Sequence, residues 1–99
     1  MSSSNIQAVQ KTATAQAVSG RARLLGVYFT STVTPATLTL KSGGSGGTAK
    51  LVLTTPAVAG SQDLIIPDAG ILFEDGIHIG LSSSEITSVT LLFEGGAAA

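Results

Sequence analysis

The residues of this chain that could do chemistry are few and lie in four separate places. His78 is the only histidine, and the chain has no cysteine. Residues 82–84 are a serine triplet, and residues 43–47 are glycine except for Ser45. Four carboxylates fall between positions 63 and 75. Each group suggests a different chemistry, which requires a particular spacing and a particular structural context.

The glycine-rich run has the composition of a loop that holds phosphate. Such a loop follows a strand, precedes a helix and closes with Gly-Lys-Ser/Thr, so that backbone N–H groups and a helix N-terminus hold the anion. Here Gly47 is followed by Thr48-Ala49-Lys50 and by an alternating run that is typical of a strand. Another alternating run, over 36–41, precedes the glycines. The pattern therefore predicts the tip of a β-hairpin.

The histidine and the serine triplet lack the partners that catalysis needs. His78 alternates with Ile77 and Ile79, and a metal site would need further histidines or cysteines. A catalytic base also needs a nucleophile and an orienting group. The serine triplet lacks the second glycine of the Gly-x-Ser-x-Gly elbow, and serine hydroxyls commonly bond to backbone in loops. We therefore predict no catalytic residue and no enzyme, with His78 at an edge strand, on the surface or against a partner.

The carboxylates are Asp63, Asp68, Glu74 and Asp75. Calcium prefers oxygen ligands of this kind, although the spacing matches no EF-hand loop. A carboxylate pair for glycoside hydrolysis is a second reading. Solvated acids in turns are the default for such a group. We take the default and predict no metal and no cofactor.

The composition argues for a single domain whose surface is partly covered. The chain has 99 residues, of which 43% are hydrophobic and 11% charged, and a free monomer normally carries more charge. The net charge is −1 and the five cations form no stripe, which disfavours nucleic acid as a partner. No apolar run approaches the ~20 residues of a membrane span. Because the N-terminus lacks a signal-peptide pattern, we expect synthesis in the cytoplasm.

Alternating runs dominate the chain from residue 23 onward and indicate strands. One run carries Leu25, Val27 and Phe29 on one face, with Leu24, Tyr28 and Thr30 on the other. Short runs with Gly, Pro, Asp and Ser breaks, and no helical stretch between them, predict an all-β fold. We expect an antiparallel β-sandwich, jelly-roll-like or immunoglobulin-like. The seven predicted strands lie within residues 23–32, 36–41, 48–54, 64–66, 71–73, 77–82 and 87–94.

The two ends of the chain differ from this central part. Residues 1–22 are rich in Ser, Thr, Ala and Gln and predict an extended N-terminal arm that is held by a neighbour, with a weak helix as the alternative. The predicted domain covers 23–94, and 95–99 form a low-complexity tail. Tyr28 lies opposite in phase to the predicted core, where an aromatic ring with a polar tip could meet a partner. The candidate partner-binding residues are Ile6, Val9, Val18, Arg21, Arg23 and Tyr28.

The C-terminal half resembles a group of viral proteins. The stretch 66–79, which reads IPDAGILFEDGIHI, and the stretches 82–84 and 86–93 look like small β-sandwich virion proteins of tailed bacteriophages, especially marine and cyanobacterial phages. This resemblance implies a structural virion protein, specifically a capsid cement or decoration protein whose arm reaches neighbouring subunits. The implied partners are the major capsid protein, other virion proteins and further copies of the chain. The resemblance implies no catalytic residues, whereas the charges and the apolar runs described above predict no nucleic acid and no membrane as partners.

A second function fits the same predicted fold. A phage tail or host-recognition module would present the loops at 43–47 and 68–76 to a surface glycan or protein. Binding sites on the loops of a β-sandwich need few special residues, because the scaffold positions them. The sequence leaves both functions open.

Overall fold

The computed structural model describes residues 6–66 and 70–99, which form eight strands and contain no helix that is long and apolar enough to cross a membrane. All pairings between strands are antiparallel. The prediction of an all-β, antiparallel chain is therefore confirmed. The strands are β1 (Ile6–Lys11), β2 (Ala15–Ser31), β3 (Thr37–Ser42), β4 (Thr48–Thr54), β5 (Gly60–Ile65), β6 (Ile71–Phe73), β7 (Ile77–Leu81) and β8 (Ile86–Ala98).

The strands belong to one open sheet that is organised around β2. The strand order is β1-β8-β2-β7-β3-β4. One edge of β2 pairs with β8, and its other edge pairs in turn with β7, β6 and β5. A single strand of 17 residues therefore connects most of the sheet.

The β3–β4 connection is a hairpin, as the glycine-rich run predicted. Ser42 pairs with Thr48 where the two strands meet the loop. Within the loop, the Gly47 N–H donates to the Gly44 carbonyl oxygen over 2.9 Å. The run thus connects two antiparallel strands and precedes no helix.

The buried side chains form one hydrophobic cluster. Its members come chiefly from alternate positions of β2, β3, β7 and β8, and the predicted alternation of Ile77 and Ile79 with His78 is confirmed. Residues that lie two apart in a strand share a face of the sheet, which is why these positions are buried together. The fully buried side chains include Leu38, Leu40, Phe73, Ile77, Ile79, Val89, Leu91 and Phe93.

The predicted phase of β2 is wrong at Leu25 because the strand contains a β-bulge. Leu24 is fully buried, whereas Leu25 is only half-buried. Leu24 pairs with Phe93 and Gly26 with Leu92, so Leu25 is an extra residue between two successive pairs. A bulge of this kind shifts the alternation by one residue. Leu24 therefore shares the core with Val27.

The described part of the predicted N-terminal arm lies within the sheet. β1 pairs with β8 along its whole length, and β2 begins at Ala15 and continues past residue 22. The predicted boundary at 94 also falls inside a strand, because β8 continues to Ala98. Backbone hydrogen bonds to β8 order this segment, so it needs little apolar area of its own. Contact between this segment and a neighbouring subunit stays a prediction.

The buried hydroxyl of Thr55 forms hydrogen bonds with the backbone of Ala36, and its removal tests the fold. Thr55 is 1% exposed, and its Oγ1 accepts from the Ala36 N–H over 2.8 Å. Thr55→Val keeps the shape of the side chain but leaves that buried donor unpaired. We expect a loss of about 1–3 kcal/mol in the free energy of unfolding. Urea titration measures it, with the exposed Thr54→Val as the matched control, and equal effects of both variants would contradict this role.

Candidate functional site

His78 lies on the middle strand of the β2–β7–β3 part of the sheet. It pairs with Lys41 on one side and with Gln16 on the other. The residue is half-buried, and its Nδ1 is buried without a hydrogen-bond partner in the described part of the chain. Within residues 6–66 and 70–99, no group of three His, Asp or Glu side chains could hold a metal ion. The neighbours of His78 on the adjacent strands are thus the polar residues Gln16 and Lys41, and they include no carboxylate.

A polar groove of about 320 Å³ lies beside His78. The Lys41 ammonium donates to the Ser45 carbonyl oxygen over 2.9 Å, which ties the glycine-rich loop to the groove. Thr14 Oγ1 accepts from the Leu81 N–H over 3.0 Å. Hydroxyls, an ammonium and an imidazole can donate and accept hydrogen bonds to a polar ligand. The groove is lined by Thr14, Thr37, Thr39, Lys41, Ser45, His78, Gly80, Leu81 and Ser82.

Two serines of the triplet, Ser82 and Ser83, bond to backbone, as loop serines commonly do. Ser82 Oγ accepts from the Thr37 N–H over 2.8 Å. Ser83 Oγ accepts from the Glu85 N–H over 3.3 Å. These hydroxyls connect the β7–β8 loop to itself and to the start of β3.

The acidic residues do not meet at one point among the described residues. Asp63 lies on β5 opposite Tyr28, whereas Glu74 and Asp75 lie in the turn between β6 and β7. The Asp75 N–H donates to Ser42 Oγ over 3.2 Å, which fixes this turn to the end of β3. Asp68 lies outside the described residues.

A second surface, which we call the outer face, lies on the side of β1, β8, β2, β5 and β6 opposite the core. Val9, Val27 and Leu91 point towards the core. Because successive side chains of a strand point to opposite faces, their neighbours along each strand point outward. The outer face consists of Ile6, Ala8 and Gln10 of β1, Ser88, Thr90, Leu92 and Glu94 of β8, Arg23, Gly26, Tyr28 and Thr30 of β2, Ser61, Asp63 and Ile65 of β5, and Leu72 of β6.

The central row of the outer face is apolar across four strands. Cross-strand pairing aligns Ala8, Leu92, Gly26 and Ile65 in that order. The Cδ1 atoms of Leu92 and Ile65 lie 3.4 and 3.5 Å from the position that a Cβ on Gly26 would take. Both side chains therefore lie against the glycine and form a continuous apolar ridge.

The outer face carries most of the exposed apolar bulk. Seven large hydrophobic side chains are exposed among the described residues, and four of them lie here. They are Ile6 at 52%, Tyr28 at 46%, Ile65 at 67% and Leu92 at 37% exposure. Single exposed hydrophobic residues are common, but a contiguous group marks an interaction surface.

The structure brings some of the predicted partner-binding residues together and separates others. Ile6, Arg23 and Tyr28 share the outer face, and Arg21 is exposed at its end, beside Glu94 and Gly95. By contrast, Val18 is fully buried in the core, and Val9 is half-buried against it. Val18 therefore contributes to the hydrophobic core.

Sequence reasoning missed Ile65 and Leu92 as members of this surface. Leu92 alternates with the core residues Leu91 and Phe93, so its outward phase was readable from the sequence. The position of Ile65 depends on the pairing of β5 with β2 opposite Gly26, which no local pattern specifies. The membership of the outer face thus depends on which strands pair with one another, and not on local sequence patterns alone.

These observations define an all-β antiparallel protein with a partly apolar sheet face and a polar groove. No family model matches the chain, and comparisons with curated proteins and with solved structures find no similar protein.

The contrast between β1 and β2 predicts how far the N-terminus can be shortened. Deletion of residues 1–11 removes β1 but leaves the buried Ala17 and Val18 in place. Deletion of 1–22 removes those side chains and Ala22, together with the pairing between β2 and β7. We expect the first variant to unfold cooperatively on heating and the second to lose its fold, because small domains have little stability to spare. Circular dichroism melts compare them, and a cooperative melt for the 1–22 deletion would refute this assignment.

Proposed function

We propose that this chain is a structural virion protein, specifically a capsid cement or decoration protein that acts by contact with other virion proteins. The observation that carries the proposal is the position of the exposed apolar bulk, most of which lies on one face of the sheet. Flat, partly apolar faces suit protein partners, whereas small ligands favour concave sites. The phage-like stretch between residues 66 and 93 supports the viral setting.

We further propose that the sheet folds over its core as a β-sandwich, jelly-roll-like or immunoglobulin-like. The buried side chains of β3 and β7 belong to the same cluster as those of β2 and β8. Two halves of a sheet that share one core in this way are the arrangement of a sandwich.

In this proposal the N-terminal segment and the strand edges bind the shell and stabilise it. β4 and β1 occupy the two ends of the strand order. An edge strand can accept a further strand from a partner through backbone hydrogen bonds. The partners are the major capsid protein, other virion proteins and further copies of this chain. Many modest contacts on one shell would add up through multivalency.

The edge of β4 offers a direct test of attachment. Val52 is 56% exposed on this strand, and Val58 is 64% exposed in the loop that follows. A lysine on an edge strand opposes strand addition, so Val52→Lys should weaken binding to shells that lack the chain by about tenfold or more, which is about 1.4 kcal/mol. Val58→Lys should bind as the unchanged protein does. Co-sedimentation with shells measures both.

The absence of the chain's peptides from purified virions, detected by mass spectrometry, would contradict the virion proposal. Shell binding by Val52→Lys at the level of the unchanged protein would instead exclude the β4 edge as the contact.

The polar groove favours a second candidate function, a tail or host-recognition module. The groove combines hydroxyls with Lys41 and His78, and the predicted recognition loop contributes Ser45. These groups suit a surface glycan, whose hydroxyls need both donors and acceptors. The alternative predicts binding on a glycan array that Lys41→Ala reduces at least about tenfold, with Lys11→Ala as the matched control. Shell binding that survives Lys41→Ala, with no glycan retained, would favour the cement function.

A further inference from the structure

We propose that the outer face packs against the outer face of a second copy of this chain. The twofold axis would lie between the two packed sheets and run parallel to the strands, above the line that separates β2 from β8. The inference rests on the homo-oligomer part of the proposed function and is independent of attachment to a shell. A twofold interface brings the same surface of two protomers together. Each residue must therefore be complementary to the residue that the rotation places opposite it.

The axis fixes which positions meet. It places β8 of one protomer over β2 of the other, and β1 over β5 and β6. Each cross-strand row then lies over the same row of the second copy. Packed sheets keep their strand directions within about 30° of each other, which preserves this correspondence near the axis.

The central apolar row is self-complementary about this axis. The small Ala8 faces the protruding Ile65, and Leu92 faces Gly26, so apolar groups meet apolar groups along the row. Ile65 is the most exposed large hydrophobic residue of the described chain. Its burial removes apolar area from water, which is the main favourable contribution to most protein association.

The adjacent row brings opposite charges together. Register aligns Ile6, Glu94, Arg23 and Leu72 across β1, β8, β2 and β6. The axis places Glu94 opposite Arg23 of the second copy, and the symmetry produces this pair twice. Ile6 faces Leu72 in the same row. Arginine and carboxylate form strong, directional hydrogen bonds when they pair across an interface.

The row on the other side of the ridge is polar and free of like-charge contacts. Gln10, Thr90, Tyr28 and Asp63 align there. The axis places Thr90 opposite Tyr28 and Gln10 opposite Asp63, and both combinations include a donor and an acceptor.

A twofold axis across the strands fits less well. It would reverse the order of the rows about the central ridge and place Glu94 opposite Thr90. Arg23 would then face Tyr28, and Glu94 would lose its cationic partner. The charges of this face therefore favour the axis along the strands.

The area of the face suits a dimer of modest affinity. Strand and row spacings give a flat area of about 500 Å² for four strands and four rows. Two such faces bury about 1,000 Å², which is near the lower limit for a specific interface. We expect a reversible dimer in the micromolar range.

The first test is sedimentation equilibrium of the full chain. We expect the unchanged protein to form a dimer and Ile65→Asp to be a monomer, because the substitution places a carboxylate in the apolar row. Val58→Asp has a similar exposure but lies outside the face, and it should still form a dimer. A monomeric unchanged protein, or a dimer that Ile65→Asp leaves intact, would overturn the proposal.

The second test reverses the charges that the axis pairs. Arg23→Glu and Glu94→Arg, each alone, place like charges opposite each other, and we expect each to weaken dimerisation about tenfold or more. An equimolar mixture restores both intermolecular pairs, so it should form heterodimers. Arg23 and Glu94 are also neighbours within one chain, and that contact stays like-charged in both variants. Recovery on mixing therefore reports contacts between chains.

Folded single variants whose mixture stays monomeric would overturn this axis. A chain that is monomeric alone but binds shells would refute the dimer and leave the proposed function standing. A dimer that binds no shell would refute shell attachment and leave the dimer proposal standing.

Discussion

The pairing of β2 on both edges is the constraint on which the rest of the structure depends. Its backbone bonds to β8 along one edge and to β7, β6 and β5 along the other. Buried backbone groups must be paired, and a central strand meets that requirement for its neighbours as well as for itself. Short strands such as the three-residue β6 can therefore persist, because β2 supplies their partners.

The bulge at Leu25 links the core to the outer face. By shifting the alternation, it allows Leu24 and Val27 to be buried on the same side, although they lie three positions apart. The same shift leaves Gly26 between Leu92 and Ile65, where a side chain would meet atoms at 3.4 Å. One irregular residue thus determines both how the core is filled and where the apolar ridge forms.

The sequence predicts strands better than it predicts their neighbours. Alternation correctly marks β3, β7 and β8 as strands, and the glycine run correctly marks a hairpin, because both signals are local. The N-terminal segment looked too polar to order itself, yet β1 acquires order from β8, which lies about 80 residues further along the chain. The outer face likewise joins five strands from both ends of the sequence. Its composition is visible in the sequence, but its assembly depends on pairings that no local pattern encodes.

The outer face departs from the usual pattern of an antiparallel sheet. Such a sheet normally turns polar side chains to water on the side opposite its core. Here the outward positions are polar in the row of Gln10 and Asp63 but apolar in the row of Ala8 and Ile65. A chain with 11% charged residues has few groups available to make that row polar, and it keeps Arg23 and Glu94 beside the ridge. In the proposed dimer, the second copy would cover the apolar row and pair both Arg23 and Glu94 with opposite charges. The proposed dimer would remove this apolar row from water, which the isolated fold leaves exposed.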